Sequence, residues 1–268
     1  MSLFLRQLQQ NSIARRHNAA STTKPYTISQ KRLASGVGVT AIGLPIVLLF
    51  SAWLEGGLRD SISHYYYGNW QGGIFVAMLA FIGTFLIAYE GKFEQETILA
   101  RVAGTLTFGI ALFPTAGAGF EGSTRQFRPF GQLTTNPAGE WVEVSSFLPM
   151  DKIADWVAWL HVACASGLFL FLMYYSFVIF PAVQLRQREN RQADAQPIFQ
   201  KRLRNNMYYS TGFLILTSML AIASQSLWGD MWNKNNLTFW FEALALVAFG
   251  VAWTTKGRLI RRLQDPDE

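Results

Sequence analysis

Long apolar stretches separated by short polar ones set the pattern of this chain. A bilayer core of about 30 Å needs roughly 20 mostly apolar residues in a helix. Six segments answer that description: 35–54, 73–90, 100–118, 153–182, 207–228 and 237–254. Gly38 to Leu54 and Ile74 to Tyr89 carry no charge at all. The third segment contains Gly104, Gly109 and Pro114, and the proline predicts a kink or an end there. The fourth is long enough that, at about 1.5 Å per residue, it must tilt or project beyond the lipid. Gly36, Gly38, Gly43, Gly104 and Gly109 predict places where helices approach closely. The expected fold is all-α, a polytopic transmembrane helical bundle of six spans with both termini cytoplasmic.

The orientation comes from the basic residues. Residues 1–34, 91–101, 183–206 and the C-terminal tail hold 18 of the 23 Lys and Arg, leaving five on the opposite side. Positively charged connections stay on the cytoplasmic side, or in the matrix of an organelle. Three regions follow: a basic tail over 1–34, a membrane domain over 35–254, and a C-terminal tail over 255–268. Within the membrane domain, 119–152 forms an extracytoplasmic cap. There the alternation of Glu140, Trp141, Val142, Glu143 and Val144 is compatible with a short strand. The N-terminal tail is rich in Arg, Ser and Thr and has no acid, which fits either a cytoplasmic tail on anionic lipid or a mitochondrial targeting sequence. A bacterial inner membrane is preferred to a mitochondrial one.

Composition agrees. Half of the 268 residues are hydrophobic and 15% are charged, against roughly 25% charged in soluble domains. That excludes a disordered chain and a disulfide scaffold. The net charge of +6 lies in short tracts between apolar runs, so it points to membrane topology and not to nucleic acid. The single cysteine, Cys164, permits no intramolecular disulfide and no thiolate cluster. Tyr65, Tyr66, Tyr67, Trp70, Trp156, Trp159, Trp228, Trp232 and Trp240 fall near the outer ends of spans, as an interfacial belt would.

Ionisable groups inside spans are costly and usually face a cavity, a partner or a pathway. His161 and Glu242 each lie roughly 8–12 Å below the outer face, counted along their helices. Asp60, His64, Asp155 and Gln225 approach the same level. Together these six residues are the candidate ligand-binding set: an outer-leaflet polar pocket for a lipid, a small ligand or a partner protein. Two imidazoles beside carboxylates also suit zinc, with His64 and His161 as ligands, and zinc with an open position would permit hydrolysis of a lipid amide or ester. Haem between the two histidines, a proton-coupled transporter built on Glu242, and a subunit of a larger membrane complex are further readings. Glu90, Glu94, Glu96 and Arg101 are expected as solvated or paired charges of the inner face. Asn205, Asn206, Tyr208 and Tyr209 are expected as an interfacial cap. No phosphate loop, nucleophile elbow or kinase motif is present.

Ser61–Ile62–Ser63–His64–Tyr65–Tyr66–Tyr67, then Ile74–Phe75–Val76 and Leu86–Ile87–Ala88–Tyr89–Glu90–Gly91, followed by Ala111–Leu112–Phe113–Pro114–Thr115 and His161, form a pattern. It resembles a set of uncharacterised bacterial integral membrane proteins with about six spans. A more distant likeness is to the membrane hydrolases that include alkaline ceramidases and progestin-receptor-like proteins. That likeness implies Asp60, Ser63, His64 and His161 as the matching positions. The chain differs from those proteins in having six spans and no late histidine pair.

Overall fold

The computed structural model describes residues 30–55, 57–91, 94–115, 131–135, 141–145, 156–182 and 199–260. Its long helices are α1 (Gln30–Glu55), α2 (Asn69–Ala88), α3 (Glu94–Leu112), α4 (Trp156–Tyr174) and α5 (Phe199–Ala223). A short α6 (Asp230–Lys234) precedes α7 (Leu237–Lys256). A 3₁₀ turn, Ile62–Tyr67, fills the link from α1 to α2, and α4 runs on through a π-helical turn, Tyr175–Ile179. Two strands, β1 (Gly131–Thr135) and β2 (Trp141–Ser145), pair antiparallel with Gly131 opposite Ser145 and Thr135 opposite Trp141.

Among the described residues, four helices are long and apolar enough to cross a membrane: Gln30–Leu54, Trp70–Ala88, Trp156–Ala182 and Leu237–Lys256. The expected third and fifth spans are also helices, α3 and α5, but each opens on a polar turn. Glu94, Gln95 and Glu96 start α3, and Gln200, Lys201, Arg202 and Arg204 start α5. Those turns lower their apolar character without interrupting the helix. The proline reading agrees with what is seen: α3 stops at Leu112, two residues before Pro114, because the residue before a proline is pushed out of the helical region.

The six long helices close a ring in which each packs on its neighbour in sequence and α7 returns to α1. Small residues set the closest approaches. A Cβ placed on Gly38 would lie 2.6 Å from the carbonyl oxygen of Gly250, and one on Gly104 would lie 2.6 Å from that of Gly83. These are the α1–α7 and α2–α3 crossings. The bundle interior is apolar, with Leu44, Leu48, Phe75, Leu86, Leu172 and Phe239 fully buried. Its outside is apolar as well: Ile46, Trp53, Ile98, Val102, Leu112, Phe213 and Leu220 are all exposed. Contiguous apolar surface on that scale belongs in lipid or against a partner, not in water.

The two ends differ chemically. At the end where α1, α3 and α5 begin, Glu96 is 1% exposed. Its carboxylate accepts from the Tyr89 hydroxyl at 2.7 Å and pairs with Lys256 Nζ at 2.9 Å. Burial first, and then the Glu96 charge, push the Tyr89 phenol above its ordinary value. Glu96 is therefore a paired charge, as one of the two expectations had it, but a buried one, and its cation comes from Lys256 at the C-terminal end of α7, far along the sequence. Tyr208 is not an interfacial cap. It is buried with its ring 5.0 Å from that of Phe180. Tyr65, Tyr67 and Trp232 are buried too, whereas Trp70, Trp156, Trp159, Trp228 and Trp240 are exposed as a belt requires.

Candidate functional site

The opposite end is organised by the connection 57–68. Ser61 has extended backbone and caps the 3₁₀ turn, its Oγ accepting the Ser63 N–H at 3.0 Å. The Ser61 hydroxyl in turn donates to Glu242 Oε2 at 2.8 Å, and the Ile62 N–H donates to the same oxygen at 2.7 Å. One carboxylate on α7 thus holds the cap and the first residue of the turn. A further strap joins the same elements: the Phe239 N–H donates to the Asp60 carbonyl at 2.8 Å. That N–H is one of the donors which the first turn of any helix leaves without an intrahelical partner.

His161, on α4, grips the turn from the other side. It is 2% exposed. Its Nδ1 is 2.6 Å from the Phe113 carbonyl oxygen, and its Nε2 is 2.9 Å from Ser63 Oγ. A carbonyl only accepts, so Nδ1 carries the hydrogen and donates it. In the neutral ring Nε2 then holds the lone pair, and the Ser63 hydroxyl donates to it. The Phe113 carbonyl is available because α3 has just ended before Pro114. A helix terminus leaves its last carbonyls without intrahelical partners, and this one orients the imidazole. His161 and Glu242 therefore meet through the Ser61–Ser63 turn and not directly.

Beside these groups lies a cavity of about 560 Å³. Asp60, Ser61, Ser63, His64, His161 and Glu242 line its inner polar wall, with Gln225, Asn233 and Thr238 nearer the bundle end. Thr115 adds a further polar group, and the rest of the lining is largely apolar and follows the seam between α4 and α5: Val162, Ala165, Ser166 and Phe169 on one side, Met219, Ile222 and Ala223 on the other. Phe169 is eight residues beyond His161 on the same helix, about 12 Å deeper. Polar at the bundle end and apolar toward its middle, the cavity has the layout of an amphiphile.

Of the six candidate residues, five line this cavity: Asp60, His64, His161, Gln225 and Glu242. Asp155 lies outside the described residues. His64 sits in the 3₁₀ turn and not in an irregular loop. The zinc reading fits poorly. Among the described residues no group of three His, Cys, Asp or Glu side chains is placed to hold a metal ion. Both nitrogens of His161 are also engaged, one by a carbonyl and one by a hydroxyl. The two serines that organise the site, Ser61 and Ser63, carried no signal as isolated residues. Both lie in the quoted stretch Ser61–Ile62–Ser63–His64, and Ser63 was given a role only through the distant hydrolase likeness.

No family model, curated protein or solved structure matches this chain.

Proposed function

We propose that this integral membrane protein binds a single-chain amphiphile, such as a lipid or lipid-derived molecule, in the cavity between α4, α5 and α7. The observation that carries this reading is the division of the cavity wall. Hydrogen-bonding side chains gather around His161 and Glu242, and a largely apolar seam runs from them along α4 and α5 to Phe169 and Met219. Its size lies within the roughly 300–1,000 Å³ common to small-molecule sites. Exposed Val162, Ser166 and Ala223 on its rim leave a lateral way in from the lipid. All six long helices cross the membrane, both termini are cytoplasmic, and the site end faces outward. Supporting this, α3 and α5 pack between helices that are apolar enough to span, and they expose Val102, Leu112, Phe213 and Leu220 as the others do. The 18-to-five division of Lys and Arg sets the direction.

The test uses the full chain in nanodiscs, titrated with a dansyl-labelled single-chain alkyl ether and read by fluorescence. The wild type binds saturably. Ala165→Trp, which fills the α4–α5 seam, weakens binding by about tenfold or more, since losing a buried chain segment removes on the order of 1.4 kcal/mol or more. Ile46→Trp, on the exposed face of α1, leaves it unchanged. A folded wild type that binds no probe, or equal loss in both variants, removes the reading.

A further inference from the structure

We propose that Ser63 and His161 form a nucleophile–base pair that hydrolyses an ester within the bound amphiphile, an inference that rests on the amphiphile-binding reading above. Three independent contacts point to it. The Ser63 hydroxyl donates to His161 Nε2, so its proton already lies toward a base at 2.9 Å, within the range that proton transfer requires. The tautomer that makes Nε2 the base is held by the Phe113 carbonyl at 2.6 Å, in the position where a carboxylate stands in the better-known serine–histidine triads. The Ser63 backbone is fixed by its N–H bond to Ser61 Oγ, which Glu242 anchors in turn. Glu242 and the Phe113 carbonyl are thus positioning groups, and Ser63 and His161 are the groups that meet the substrate. Both line the cavity, at the level where its polar wall gives way to the apolar seam. An ester joining a polar head to an alkyl chain places its carbonyl at that junction.

The chemistry needs only water as co-reactant. Ser63 Oγ attacks the ester carbonyl as its proton passes to His161 Nε2. The carbon–oxygen bond to the alcohol then breaks, and the alcohol leaves with that proton. The acyl group remains on Ser63. Water attacks the acyl-serine, gives a proton to Nε2, and expels Ser63 Oγ, which takes the proton back. One ester and one water become one carboxylic acid and one alcohol, and nothing is oxidised or reduced.

The experiment treats the full chain in nanodiscs with a long-chain fluorophosphonate, locates the adduct by peptide mapping, and measures turnover of a 4-methylumbelliferyl long-chain ester. The adduct falls on Ser63 in the wild type, a result that requires no variant to fold. Ser63→Ala abolishes label and turnover. His161→Asn keeps an amide N–H for the Phe113 carbonyl but has no base, so labelling of Ser63 slows by roughly 10²–10⁴-fold. If the wild type binds the ether yet takes no phosphonate on Ser63, or takes it on another residue, hydrolysis is overturned and amphiphile binding stands. If it binds neither, both readings fall together.

Discussion

Glu242 illustrates how little an isolated residue discloses about its work. A carboxylate early in an apolar helix signals that something polar must meet it, because a lone charge there is expensive. What meets it is a hydroxyl and a backbone N–H from residues some 180 positions away. Both converge on one oxygen, so the natural substitution to examine is the isosteric amide. Glu242→Gln retains one acceptor oxygen but replaces the other with an amide nitrogen that brings two donors. The expected cost is about 1–3 kcal/mol of stability, measured by reversible denaturant unfolding in mixed micelles, and Ser61→Ala in the same background adds little. Full additivity of the two changes would show that Ser61 and Glu242 do not act as one unit. His161 was equally visible as an intramembrane ionisable residue. Its direction of hydrogen bonding was not, since this depends on the carbonyl that the end of α3 happens to present.

At the scale of elements, hydrophobic run length located the six long helices among the described residues but not all of their ends: α3 begins at Glu94 and α5 at Phe199, ahead of the expected 100 and 207, because their polar first turns are helical too. Their faces were harder to read. A transmembrane helix is apolar on both its lipid and its protein sides, so composition does not say which side packs. Small residues supply part of the missing information. Gly38 and Gly250 face each other across the α1–α7 crossing, where each Cβ position lies 2.6 Å from the opposing carbonyl oxygen. Even one added methyl must push the helices apart. Gly38→Ala is expected to cost about 1–3 kcal/mol through overpacking, while Gly36→Ala, where the nearest atom would be 3.9 Å away on Phe85, stays near neutral. Thermal unfolding of the two variants in one detergent decides it: equal midpoints would mean that this crossing is looser than its geometry implies.

The molecule as a whole joins two unlike ends through an apolar middle. One end buries an ion pair among aromatic rings, where Lys256 reaches Glu96 and also lies 5.3 Å from the Phe180 ring centroid. The other end builds a polar-walled cavity from a turn wedged between three helices. The six crossings proposed above would put Gln30 and Lys256, and so both tails, on one side of the membrane. In sealed, oriented vesicles, single reporter cysteines placed in the two tails of a Cys164→Ala chain should react with a membrane-impermeant maleimide from the same side. Reaction from opposite sides would require an odd number of crossings and would reassign α3 or α5 as a helix that packs without spanning.

By itself the sequence determined that this is a helical membrane protein, which segments form its long helices, and at which level of the bundle its unusual polar groups lie. Those properties follow from the cost of exposing apolar side chains to water and backbone polar groups to lipid, and both costs are summed residue by residue along the chain. Only the tertiary structure decided that Glu96 pairs with Lys256, that Ser61 rather than His161 meets Glu242, and that Ser63 donates to His161. Each of those pairings spans between about 100 and 180 residues of sequence. The choice among polar partners is made when the ring of helices closes, because the free energy of a buried hydrogen bond depends on distance and direction that no single segment carries.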